Sequence, residues 1–159
     1  MRALLYTCAI VLFTLAAACK PKPTSYWPNK TPETLDRLYN VYLTEDAQHA
    51  RQAMTEAVAL MLSVDSRAHG RAHGLWLAYG RLFALEDAVG NQSEATSDFE
   101  NSAKWYRVMI EETGSSPQDS EAANIAFTPA HCLDAVRHFD STHTQGRGPV
   151  YLRGVTKQQ

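Results

Sequence analysis

Asn91-Gln92-Ser93-Glu94-Ala95-Thr96-Ser97-Asp98-Phe99-Glu100-Asn101-Ser102-Ala103-Lys104-Trp105-Tyr106 is the stretch whose reading decides the fold. Ala95, Phe99, Ala103, Tyr106 and, beyond it, Ile110 recur every three or four residues, so a helix gathers them into one apolar stripe. Asn91 followed by Glu94 is a capping-box-like start for that helix. A strand would need apolar and polar residues to alternate, and no stretch of the chain sustains that pattern.

The same period continues on both sides. Thr31-Pro32 places a cap before a first-turn proline, and Leu35, Leu38, Tyr39 and Tyr42 then share a face. Thr44 can cap a second helix carrying Ala47, Ala50, Met54, Ala57, Val58 and Met61. A third, predicted from near Ser66, carries Leu75, Tyr79, Leu82, Phe83 and Val89, with a second apolar strip of Leu77, Leu85 and Ala88 that implies burial on more than one side. Beyond the central stretch, Ser116-Pro117 opens a fifth helix and Thr128-Pro129 a sixth, ending near Asp140. The expected fold is all-α, with about six antiparallel helices over residues 31–140. The tail, 141–159, holds Gly146, Gly148, Pro149 and Gly154, which break helices, and is expected to be flexible with Val150-Tyr151-Leu152 docked on the body.

The N-terminus has a different layout. Met1-Arg2 gives a positive start, Ala3 to Leu15 is almost uncharged and apolar, and Ala16-Ala17-Ala18 precede Cys19. That is the layout of a secretory signal peptide. The box Leu15-Ala16-Ala17-Ala18-Cys19 resembles that of bacterial lipoproteins, although its large aliphatic residue stands four before the cysteine instead of three. The resemblance implies cleavage after residue 18, lipidation of Cys19, and a membrane anchor in the cell envelope. Lys20 in second place, where enteric bacteria use Asp for inner-membrane retention, implies an outer-membrane address facing the periplasm. Several acyl chains, at ~0.8 kcal/mol per buried methylene, hold a protein stably where one does not. Residues 19–30, which include Lys20-Pro21-Lys22-Pro23, read as a Pro-rich tether. Tyr26 and Trp27 would rest at the lipid headgroups or cover the first helix.

Two of the helices share a small–large–small spacing: Ala50-x-x-x-Met54-x-x-Ala57 and Ala95-x-x-x-Phe99-x-x-Ser102. The second follows Gly90-Asn91-Gln92-Ser93-Glu94. This resembles the turn and second-helix signature of tetratricopeptide repeats, in which small residues let helices approach and the large one fills the gap. Glu86 stands where an aromatic is expected, no proline closes the unit, and the copies lie 45 residues apart instead of 34. Degenerate tetratricopeptide-like hairpins and a small helical bundle are the two architectures this supports.

Composition narrows the chemistry. With 15 Lys and Arg against 17 Asp and Glu, the chain has a formal charge of −2, which is not the balance of a protein that grips nucleic acid by phosphate neutralisation. Of the three cysteines, Cys8 leaves with the signal and Cys19 takes lipid. Cys132 then has no internal partner for a disulfide, and reads as a small buried hydrophobe. No Gly-x-Ser-x-Gly elbow or phosphate-cradling loop appears, and Cys132 beside His131 does not by itself make a catalytic pair. The expectation is therefore no enzyme and no cofactor. The tandem Arg67-Ala68-His69-Gly70-Arg71-Ala72-His73-Gly74 would, on one helix, put His69 and His73 a turn apart, a spacing able to bind zinc or copper. Two ligands do not complete such a site, so these are weak metal candidates beside the reading as a solvated helix start. Trp76 and Trp105 lie off their helices' main stripes, and with Arg71 and Arg81 they suit an interface anchor for an envelope protein partner. The alternative packs both tryptophans between hairpins. The functional expectation is a membrane-anchored, non-catalytic interaction scaffold, with a metal- or small-ligand-binding lipoprotein using His69 and His73 as the alternative.

Overall fold

The computed structural model describes residues 27–28, 30–114, 127–143 and 149–150. These residues form five helices and no strand: α1 (Thr31–Thr44), α2 (Ala47–Ser63), α3 (Arg71–Val89), α4 (Gln92–Glu112) and α5 (Pro129–His143). The all-α expectation holds. The helix expected from Ser116-Pro117 lies outside the described residues, as do the signal, the lipobox with Cys19 and the tail segment Tyr151-Leu152.

From α1 to α4, successive helices run antiparallel, as their side-chain partners show. Arg37 of α1 faces Glu56 of α2. Arg71 at the start of α3 reaches the end of α2, donating from Nε to the Met61 carbonyl at 2.8 Å and from Nη2 to the Leu62 carbonyl at 3.3 Å. This satisfies carbonyls that a helix end leaves open and sets a cation at the negative end of its dipole. In the α3–α4 pair, Ser102 Oγ donates to the Trp76 carbonyl at 2.8 Å, while Phe83 meets Phe99 nearer the connecting turn.

Two apolar clusters result. The first gathers Leu38 and Tyr42 of α1, Ala50, Met54 and Ala57 of α2, and Leu75, Ala78, Leu82 and Leu85 of α3. The second joins Trp76, Leu77 and Phe83 of α3 to Ala95 of α4, Cys132 of α5 and Phe127 just before it. Helix α3 serves both, which accounts for its two apolar strips: nearly every residue from Leu75 to Glu86 is buried. Gly80 makes that possible. A Cβ there would lie 2.9 Å from Val136 Cγ2 and 3.2 Å from Cys132 Sγ, so only glycine lets α5 cross α3 this closely.

Several helix starts differ from the sequence reading. Asp46, not Thr44, caps α2, accepting from the Gln48 and His49 amides at 2.9 and 3.1 Å; the Thr44 hydroxyl instead bonds back to the Asn40 carbonyl. Helix α1 already includes Thr31, and its cap position, Lys30, makes no side-chain capping bond. Asn91 likewise makes no capping bond, because its side-chain amide is spent on Glu86 at 2.7 Å. The largest correction concerns α3, which begins at Arg71. Gly70 before it has a φ of 78°, a left-handed conformation that glycine adopts without strain, and residues 64–70 form a loop. At the other end of the fold, Pro149 is buried and Val150 half-buried, which places this short segment against the body.

Candidate functional site

Helix α3 carries Arg81 into the space between α1 and α5, where it meets a carboxylate. Its Nε and Nη2 donate to Asp140 Oδ1 at 3.0 and 2.9 Å. From α1, the Tyr39 hydroxyl donates to the same oxygen and the Tyr42 hydroxyl to Oδ2, both at 2.9 Å. Arg81 is 8% exposed and Asp140 1%. The guanidinium carbon also lies over the Tyr39 ring at 4.2 Å, a cation–π contact in a desolvated setting. A buried pair of this kind is tolerated because the charges meet each other and both carboxylate oxygens accept hydrogen bonds. Burial, first of all, raises the Tyr39 phenol above its ordinary pKa, so it stays a donor across the physiological range.

Above this network a cleft of about 240 Å³ opens between α1, α2, α3 and α5. Met54, Ala57 and Met61 of α2, with Leu77 and Ala78 of α3 and Phe139 of α5, give it apolar surface; Tyr39 and Arg81 line it on the polar side, and Asp36 stands exposed beside it. Small-molecule sites commonly enclose ~300–1,000 Å³, so this space suits one or two side chains better than a whole cofactor. Methionine adapts its shape to varied apolar groups. Arg81 Nη1 has no acceptor among the described residues, so the guanidinium retains donor capacity in the cleft wall. On the far side of α3, a second depression of about 310 Å³ is lined in part by Arg51, Glu86, Glu94 and Asp98. Asp98 is pushed up to about 6, by burial first and then by the Glu86 charge.

The residues singled out in the sequence are scattered by the fold. Arg71 is held on the α2 carbonyls and stacks over the Trp105 ring at 5.1 Å. Trp105 is half-buried and packs against both clusters. Trp76, only 8% exposed, is an interior residue with Tyr106 and Phe127 edge-on to it, their ring centroids 5.7 and 6.1 Å away. Arg81 is buried on Asp140. The surface anchor of Trp76 flanked by Arg71 and Arg81 is therefore not formed: α3 packs on two sides, so residues off its first stripe face a second interior. Trp76 Nε1 is buried without a hydrogen-bond partner among the described residues.

The histidine pair also comes apart. His69 lies in the loop and His73 in the first turn of α3, so the one-turn spacing on a common helix does not exist. The His69 carbonyl accepts from Trp27 Nε1 at 2.8 Å, and the His73 ring stacks on Trp76 at 5.9 Å. Partial burial, and then the Arg81 charge, lowers the His73 pKa. Among the described residues no three His, Cys, Asp or Glu side chains gather as a metal set. Cys132 is fully buried with its sulfur 3.5 Å from Ser102 Oγ, and burial pushes its thiol up.

Compared with protein-family models, with curated proteins and with solved structures, the chain gives no match. The chemistry of the cleft has to be read from its own residues. Sequence reasoning missed Tyr39, Tyr42 and Asp140 as partners of Arg81. The available signal was Arg81 inside an apolar helix, since an arginine there requires a buried carboxylate.

Proposed function

We propose that this chain is a lipid-anchored, non-catalytic scaffold of the cell envelope, built of tetratricopeptide-like helical hairpins, that holds an apolar anchor of a partner protein in the cleft between α1 and α5. The observation that carries this reading is the cleft itself. It offers a flexible methionine-lined surface next to a guanidinium held by Asp140, whose carboxylate is fixed in turn by the Tyr39 and Tyr42 hydroxyls. An apolar side chain would fill the space, and a carbonyl or carboxylate beside it would accept from Arg81. Preorganisation of this kind reduces the ordering cost of binding.

The hairpin architecture is supported by the relation between α1 and α3. Both contribute to one wall, Tyr39 and Tyr42 of α1 beside Arg81 of α3, while their antiparallel partners α2 and α4 lie alternately between and beyond them. The non-catalytic part is supported by how the buried charges are used. The buried Arg81 and Asp140 are engaged with one another, and the buried Glu86 with the exposed Arg51.

The test is photocrosslinking in native membranes, with a benzoyl-phenylalanine replacing Asp36 at the cleft and, as control, Glu100 on the outer face of α4. One dominant envelope protein trapped from position 36, not from 100, and lost in Cys19→Ala, is the expected result. Equal trapping at both positions, or none from a lipidated protein, would refute the cleft as the binding surface.

A further inference from the structure

Trp27 is fastened to the domain. Its indole donates to the His69 carbonyl at 2.8 Å, it packs against the first apolar cluster, and the Thr31 amide donates to the Pro28 carbonyl at 2.8 Å, turning the chain directly into α1. Of the two places open to this residue from sequence, headgroups or domain, it takes the domain. The consequence is one of length. Cys19 and Trp27 are eight residues apart, and an extended chain covers ~3.3–3.6 Å per residue, so at most about 29 Å separates them.

We propose that the end of the domain bearing the α2–α3 loop is its membrane-facing surface, held against the phospholipid headgroup layer by the Trp27 strap. The inference rests on the lipidation of Cys19. The residues at this end suit the position. Leu62, 43% exposed, closes α2 beside the loop, and Arg67 in the loop has a side chain 78% exposed. Lys30 and the ring of His69 are also exposed there. Arg67 is paired with Asp65 at 2.8 Å, and Glu33 stands in the first turn of α1, so the charges named at this end come close to cancelling. Charge alone at ~1 kcal/mol per basic residue near an anionic leaflet, partly cancelled, would not hold the domain. The short tether does so: it is attached at this end, and the opposite end comes down to the membrane only with the tether close to full extension. Val89, the other exposed large hydrophobic residue described, is 45% exposed at the opposite end of α3. With 19 residues in α3 at ~1.5 Å each, that is about 28 Å further from the membrane.

The experiment reconstitutes the lipidated full chain into vesicles of phosphatidylethanolamine and phosphatidylglycerol with a headgroup-linked quencher. A fluorophore is placed through Leu62→Cys in one preparation and Val89→Cys in another, and mass spectrometry reads the state of Cys19. Expected is strong quenching at position 62, severalfold weaker quenching at 89, and no vesicle binding by the Cys19→Ala chain. Trp27→Ala frees the chain up to Thr31 and should narrow the difference between the two positions. Equal quenching, or more at 89, on a protein whose Cys19 is acylated would overturn this orientation and leave the anchor standing. Absence of acyl chains on Cys19 would overturn both.

Discussion

Removing one half of the Arg81–Asp140 pair should cost far more than removing both. In Asp140→Leu the guanidinium is left buried without the carboxylate it donates to; in Arg81→Met a carboxylate 1% exposed loses two charged donors at 2.9 and 3.0 Å. Breaking a buried pair costs about 3–5 kcal/mol, whereas exchanging the pair for apolar groups of similar volume is often close to neutral. The double variant is therefore expected within about 2 kcal/mol of the parent, the residue reflecting the lost cation–π contact with Tyr39 and the acceptor both tyrosines lose. The coupling energy from the double-mutant cycle should exceed about 3 kcal/mol. Urea unfolding of the Cys19→Ala chain, followed by helical circular dichroism at pH 7, measures all four states. Single variants should lower Tm by on the order of 10 °C or more. Losses under 1 kcal/mol in the singles, or a double variant as damaged as the sum of the two, would refute the view that this network clamps α1, α3 and α5.

Gly80→Ala should destabilise by ~1–3 kcal/mol through overpacking, despite a gain of ~1 kcal/mol in helix propensity. Its new Cβ meets Val136 at 2.9 Å, so Val136→Ala added to it should recover part of the loss in the same unfolding assay. Gly74→Ala should be far milder, since its Cβ meets only the flexible Met61 thioether. Asp98, pushed up to about 6, binds its proton more tightly folded than unfolded. Stability should therefore fall as pH rises from about 4 through 6, and Asp98→Asn should flatten that slope, gaining roughly 1 kcal/mol at pH 7 after solvent screening. Cys132, buried with a raised thiol pKa, should resist a thiol reagent at pH 8 in the native chain and react at once in urea; rapid native labelling would contradict the packed α3–α4–α5 interior. Replacing Asp46 by alanine should lower the thermal midpoint while Asp46→Ser retains it, because either side chain can accept the α2 amides.

Helical class, the apolar stripes and the final helix from Pro129 were legible in the sequence, because a 3.6-residue period is a local property that burial on one face imposes. So was the double-sided nature of α3, from its two strips, and the burial of Cys132. Caps were less legible: Thr44 and Asp46 are both competent, and backbone direction at the turn decides which oxygen reaches the amides. The start of α3 was misplaced because Arg67 to Gly74 repeats a tetrapeptide whose first copy is a loop and whose second is a helix. Gly70 at positive φ and the hold of Arg71 on α2 separate the two, and that hold is a contact between segments ten residues apart. Trp76 could be read as anchor or as core, and the crossing of α5 over Gly80 made it core. The pairing of Arg81 with Asp140 spans 59 residues. Periodicity states which residues must leave water, and tertiary packing alone states which of them meet. The cleft, which exists only where α1, α2, α3 and α5 come together, belongs to the second kind of information.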